Sequence, residues 1–277
     1  MLMRVPFKPG RTPSQRLSDS ALGIRMIILI SVIVAWDLVV RVGLVDPLFL
    51  APPGKVAVAC IDLFKQDGVV SAFGSTGSSI LVAFLVGTSA GMAVAVILGA
   101  SATAREAFLT PLTFMLSTPK SIFLPVFILI FGISGSSAAA FGAFEAFFYV
   151  VVNVLSGLDL VDQRHVRVAR AFRANKRHTY LDVIIPSALP GIFAALWYGI
   201  KHAFLGVMIA QLWASQGGIG SLIRTYSATL QTEYVLAIVL VVTVVAVLAG
   251  ILWTQVETRM NRWRGAGIGS ATVSISA

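Results

Sequence analysis

Residues 72–100 read AFGSTGSSILVAFLVGTSAGMAVAVILGA. The stretch is longer than the ~20 residues a helix needs to cross a bilayer. Within it Ser75, Ser79, Ala83, Gly87, Gly91, Ala95 and Gly99 recur every fourth residue. That spacing lays small side chains in one nearly straight stripe, along which two helix backbones approach closely in lipid. The stripe offers shape and no chemistry. It reads as helix packing, with lining of a solute path as the alternative.

Five more segments, about 22–43, 107–132, 136–158, 183–213 and 233–255, approach or exceed the same length. The chain therefore reads as an all-α polytopic membrane protein with six spans. Residues 1–20 form a cytoplasmic N-terminal tail, 21–258 the transmembrane domain and 259–277 a cytoplasmic C-terminal tail. Composition agrees. Charged residues are 12% of the chain and hydrophobic residues 57%, against about 25% charged in an ordinary soluble domain. Mean hydropathy is +0.89. Disorder is excluded by the apolar content. Cys60 is the single cysteine, so no intramolecular disulfide or cysteine metal site can form. The first span is not a signal peptide. Its apolar run from Met26 to Trp36 continues through Leu38, Val39 and Val40 with no small-residue cleavage site after it.

The net charge of +9 is a topology signal rather than a nucleic-acid footprint. With the N-terminus in the cytoplasm, the inside receives Arg4, Lys8, Arg11 and Arg16 of the tail and Arg105 of the second connection. It also receives Arg164, Arg167, Arg170, Arg173, Lys176 and Arg177 of connection 159–182, and Arg259, Arg262 and Arg264 at the C-terminus. Outside fall Lys55, Lys65 and Arg224. This asymmetry is the positive-inside pattern.

Catalytic and metal motifs are missing from the sequence. Gly54-Lys55-Val56 lacks the upstream glycine and the Ser or Thr of a phosphate loop. His165, His178 and His202 are scattered. No cofactor is expected. The first external connection, 44–71, is turn-rich and then mildly amphipathic from Val56 to Phe64, which predicts a short helix on the outer surface.

Ionisable groups inside spans are functional candidates by default. Glu145 lies near the middle of the fourth span, with Lys201 or Lys120 as its expected partner. Lys201 and His202 lie in the fifth. In the third, Pro111, Pro119 and Pro125 interrupt the helix, and Ser117-Thr118-Pro119-Lys120-Ser121 puts hydroxyls and a cation beside a break. Such a break suits a solute path, whereas a plain kink with Lys120 snorkelling to the interface is the simpler expectation. Lys120, Glu145, Lys201, His202 and Gln211 are the candidate path residues.

Connection 159–182 predicts two short helices around a polar turn at Asn175–His178, with Val166, Ala169 and Phe172 on one face. Pro186 and Pro190 then open the fifth span. A basic amphipathic helix of this kind rests on anionic lipid or docks in a partner's groove. The order Arg167 to Arg173, nine residues, then Val183-Ile184-Ile185-Pro186 resembles the EAA loop of ABC importer permeases. Trp36-Asp37, Leu50-Ala51-Pro52-Pro53, Pro119 to Pro125 with Phe131-Gly132, Asn153 to Gly157 and Gly217-Gly218-Ile219-Gly220 are similar to the sulfonate, taurine and nitrate branch. The likeness runs from about residue 28 to 264.

The resemblance implies a six-transmembrane-helix permease bundle in a bacterial inner membrane, with both termini cytoplasmic. It implies a transport subunit rather than an enzyme, paired with a second permease, most simply a copy of itself. Its other partners are a cytoplasmic ABC ATPase that binds the ATP, an external binding protein and membrane lipid. Nucleic acid is not a partner. On this reading Val166, Arg167, Ala169, Arg170, Phe172, Arg173, Ala174 and Pro186 carry the ATPase contact, and the solute is a small anion such as a sulfonate, taurine, nitrate or related organic acid. The sequence departs from the family where Glu becomes Arg167, Ala becomes Val168, the loop Gly becomes Arg173, and Tyr149 and Gln211 stand where many members have Pro and Glu. An ion-coupled secondary transporter or channel subunit is the alternative, carried by Asp37, Glu145, Lys201 and His202, and a non-transporting scaffold is a further one.

Overall fold

The computed structural model describes residues 13–214 and 216–260, with side chains from residue 23 onward except 163, 170 and 176. Arg4, Lys8, Arg11, Arg262 and Arg264 lie outside the described residues, as do the side chains of Arg16, Arg170 and Lys176. Among the described residues there are helices and no strands.

Among the described residues five helices are long and apolar enough to span. They are α1 (Pro13–Arg41), α3 (Val69–Ala100), α6 (Gly135–Asp159), α9 (Ile185–Ala214) and α11 (Thr232–Met260). α9 is entered through a π-helical turn at Thr179–Ile184. Short helix α2 (Pro53–Leu63) lies in the first connection and α10 (Ile219–Ala228) in the last. α7 (Gln163–Ala171) and the one-turn α8 (Lys176–His178) form connection 159–182.

The predicted third span differs from a straight helix. It is α4 (Ala102–Ser117), then a 3-10 turn (Lys120–Phe123) running into α5 (Leu124–Phe131), with the two arms bent by 92°. The break follows from Pro119. A residue before proline is pushed out of the helical region, and Thr118 is extended, at φ −80° and ψ 133°. Pro111, by contrast, is carried inside α4.

α6 is the hub, packed by both α3 and α9, which also touch each other. Phe141, Ala143 and Ala146 of α6 meet Ala83 of α3 and Ala203 and Val207 of α9 in one buried cluster. Val150, Val151 and Val154 meet Ala95, Leu98 and Ala195 in the next. The small-residue stripe of α3 is buried from Ser79 to Ala95, and Gly87 lies directly over the Ala143 carbonyl. Between α6 and α9, a Cβ on Gly206 would stand 2.7 Å from the Gly142 Cα, and one on Gly157 2.8 Å from the Gly191 Cα. Two glycine-on-glycine crossings thus set α6 against α9, the close approach that small residues allow in lipid.

α2 does not simply lie on the surface. Val56 and Ala59 pack on Ala237 of α11 beside Trp36 of α1, while Val58 and Ile61 stay exposed. Ile27 to Ile33 of α1 and Val244 to Leu252 of α11 present apolar side chains outward, as lipid-facing helices do.

Candidate functional site

The proline break directs the start of the 3-10 turn at the middle of α6. Lys120 is only 5% exposed there, and its Nζ lies 3.5 Å from Oε2 of Glu145. The snorkelling expected of Lys120 is therefore corrected, because the 92° bend turns its side chain into the bundle. His202 of α9 places Nδ1 3.9 Å from the same carboxylate oxygen, beyond hydrogen-bond reach. That nitrogen is buried with no hydrogen-bond partner among the described residues. Tyr149 stacks on the His202 ring at 3.2 Å between centroids, and the Lys120 ammonium stands 4.9 Å from the centre of the Tyr149 ring. Glycine at position 206 makes this possible. A Cβ there would come within 3.0 Å of the Glu145 Cγ.

A cleft of about 330 Å³ opens onto Lys120, Glu145 and Tyr149. Its rim is Ser117, Thr118, Pro119 and Ser121 from the break, with Leu205 and Ile209 from α9. It offers one buried cation, hydroxyls and an aromatic face, and Glu145 already holds the cation. Sequence reasoning missed Tyr149 as a member of this group. Its signal is the i,i+4 spacing from Glu145, which puts both on one helix face.

Two candidates fall elsewhere. Lys201 is exposed on the outer side of α9, its Nζ 4.9 Å from the Tyr198 ring centre and 5.9 Å from that of Trp197. Of the two expected partners of Glu145, Lys120 is the one it meets, since Lys201 and His202 point different ways around the helix. Gln211 is buried at 1% exposure, and its Oε1 accepts from the Thr76 hydroxyl at 2.8 Å and from the Gly220 N–H at 3.3 Å. Thr76 Oγ1 in turn accepts from the Ile219 N–H at 2.8 Å. This knot clamps the start of α10 to α3 and α9. It uses an acceptor oxygen, which Gln and Glu both provide.

In connection 159–182, Val166 is buried against Val161 and Ala188, with Ile184 and Ile192 beside it. It is a root within the chain, which corrects its reading as an outward anchor. Phe172 is 84% exposed, Arg167 and Arg173 are exposed, and Ala169 and Ala174 are half-buried. Arg173 holds the left-handed conformation at φ 57°, so the turn keeps the backbone that a glycine would favour. Pro186 sits in the first turn of α9. At the same end Arg105 of α4 pairs with Asp159 of α6.

Among the described residues the all-helical bundle, with several apolar spans, a cleft at a broken span and an exposed basic loop, is of the multi-pass membrane class. The chain belongs to the family described as binding-protein-dependent transport system inner membrane component, which matches residues 87–262. It is 30% identical over 84% of each chain to the putative aliphatic sulfonates transport permease protein SsuC of Bacillus subtilis. It is 26% identical to the taurine transport system permease protein TauC of Escherichia coli, over 83% of this chain and 86% of that one. Similarity to the nitrate import permease protein NrtB of Synechococcus elongatus is 24% over about half of each chain. These relatives place it in the sulfonate, taurine and nitrate branch of ABC permeases.

Proposed function

We propose that this chain is the permease of an ATP-driven importer of a small anionic solute, and that residues 163–182 couple it to a separate cytoplasmic ATPase. The solute is a sulfonate, taurine, nitrate or a related organic acid, delivered by an external binding protein. The chain binds no nucleotide itself, lies in a bacterial inner membrane with both termini inside, and performs no chemistry. Two copies face one another. Lys201 supports that pairing, because a cation exposed at mid-span costs about 2.5–3.5 kcal/mol in hydrocarbon and is tolerated facing water. The lipid-facing surfaces are those of α1 and α11.

One observation carries the coupling. Phe172 projects beyond a basic helix whose Val166 is rooted on Ala188, at the base of α9. Large aromatics dominate contacts of this kind. When ATP closes the ATPase dimer, the pull on α7 passes through Val166 into α9, which also carries His202. The differential affinity of ATP for the two states drives the shift.

Copurification tests it. Phe172→Ala releases the ATPase while the permease stays inserted, and Arg167→Glu weakens the complex with a salt dependence. Full ATPase yield with both substitutions would mean that the basic face rests on lipid instead. Uptake that follows a pH gradient and ignores ATP would replace this reading with an ion-coupled carrier, and absence of both with a scaffold.

A further inference from the structure

The pair formed by Lys120 and Glu145 is loosely made. At 3.5 Å it is longer than a good charge-assisted hydrogen bond, about 2.7–2.9 Å. A lysine ammonium has three donors, and this one meets a single carboxylate and a ring face. Near the same carboxylate oxygen, at 3.9 Å, waits the His202 Nδ1, which belongs to no hydrogen bond among the described residues. Lys120, Glu145 and Tyr149 line the cleft, and His202 does not. The carboxylate thus has two neighbours, a cation that lines the cleft and a ring nitrogen that does not, and is seated firmly on neither.

We propose that Lys120 is the station that holds the oxyanion group of a passing solute, and that Glu145 is its movable counter-anion. With the cleft empty, Glu145 neutralises Lys120. When a sulfonate or nitrate arrives, its oxygens take the ammonium and the Ser117 and Ser121 hydroxyls at the rim. Glu145 then shifts by about an ångström onto the His202 Nδ1–H, closing from 3.9 Å to hydrogen-bond distance. In the second position the carboxylate keeps a hydrogen-bond donor in place of its cation, which offsets part of the penalty of an orphaned buried ion and favours its return once the solute leaves. Because solute and Glu145 compete for one cation, binding is weak enough for the solute to leave, as conduction requires. This inference rests on the import of anions proposed above.

The test uses the full permease purified with its ATPase, and binding of methanesulfonate and nitrate measured by calorimetry without nucleotide. Glu145→Gln removes the competitor, so binding tightens at least about tenfold. ATP-driven uptake slows at the same time because release is slow. Lys120→Met abolishes binding. The double variant Lys120→Met/Glu145→Gln leaves no orphaned charge, elutes as folded assembly, and still fails to bind. His202→Phe keeps the stack on Tyr149 but removes the donor, and it weakens binding, whereas His202→Asn restores an N–H near the Nδ1 position and recovers it. Unaltered affinity in Glu145→Gln, or binding retained in the double variant, would overturn the station while leaving anion import standing. Lack of ATP-dependent anion uptake by the unsubstituted assembly would instead remove the reading beneath it.

Discussion

Arg173 carries a backbone that costs a non-glycine residue about 1–2 kcal/mol, at φ 57° on the exposed turn after α7. Arg173→Gly therefore raises stability of the loop by about 1 kcal/mol, read as slower amide exchange across residues 166–180. Arg173→Val, a β-branched residue at the same φ, speeds that exchange. Either variant leaving exchange unaltered would mean that the turn relaxes by another route. Gln211 is the second residue whose surroundings define its work. Gln211→Leu strands the Thr76 hydroxyl and the Gly220 N–H and costs about 1–3 kcal/mol. A lowered unfolding temperature with normal membrane insertion is the expected result.

Between elements, the α6–α9 contact depends on what is missing from it. Gly206→Val would drive a branched side chain into Gly142 and Glu145, so α9 must move outward, and overpacking of this sort costs about 1–3 kcal/mol or more. Loss of assembly in the membrane fraction, rescued at lower growth temperature, is the readout. The link from α7 to α9 predicts a different phenotype. Val166→Ala removes methyl groups from a buried contact while leaving Phe172 exposed. The ATPase stays bound and hydrolyses ATP, but uptake per ATP falls. Equal loss of ATPase yield would assign Val166 to docking rather than to transmission.

At the scale of the whole molecule, the single cysteine gives a clean probe of orientation. Cys60 lies on α2, half-buried, with its Sγ 3.9 Å from the Ala237 carbonyl. Burial pushes its thiol pKa above the ordinary value, so less thiolate is present at neutral pH and alkylation rises steeply as pH climbs. A membrane-impermeant maleimide applied to intact spheroplasts labels Cys60 faster at pH 9 than at pH 7. Labelling only after the membrane is opened would place α2 on the cytoplasmic side and invert the proposed topology.

The spans and the packing face of α3 were legible in sequence, because a bilayer imposes a length on every helix that crosses it and small-residue spacing survives as a linear pattern. The loop at 159–182 was legible as two short helices, its charge and its spacing being local. The turn, however, falls at Phe172–Asn175, and the expected turn residues Lys176–His178 instead form α8, whose His178 N–H is taken by the Asn175 side chain. Which of its apolar residues face outward was not legible, since α7 ends at Ala171 and leaves Phe172 in the exposed turn, while Val166 packs on Ala188. Lys120 was placed at an interface by its chemistry, yet a 92° bend at Pro119 turns it inward to meet Glu145 from another helix. Lys201 and His202 are neighbours in the chain, but one lies outside α9 and the other within. Local sequence sets where a helix starts and stops, through proline, glycine and apolar length. Who meets whom across helices depends on bend angles and helix rotation, and these are fixed only when α3, α6 and α9 close on one another.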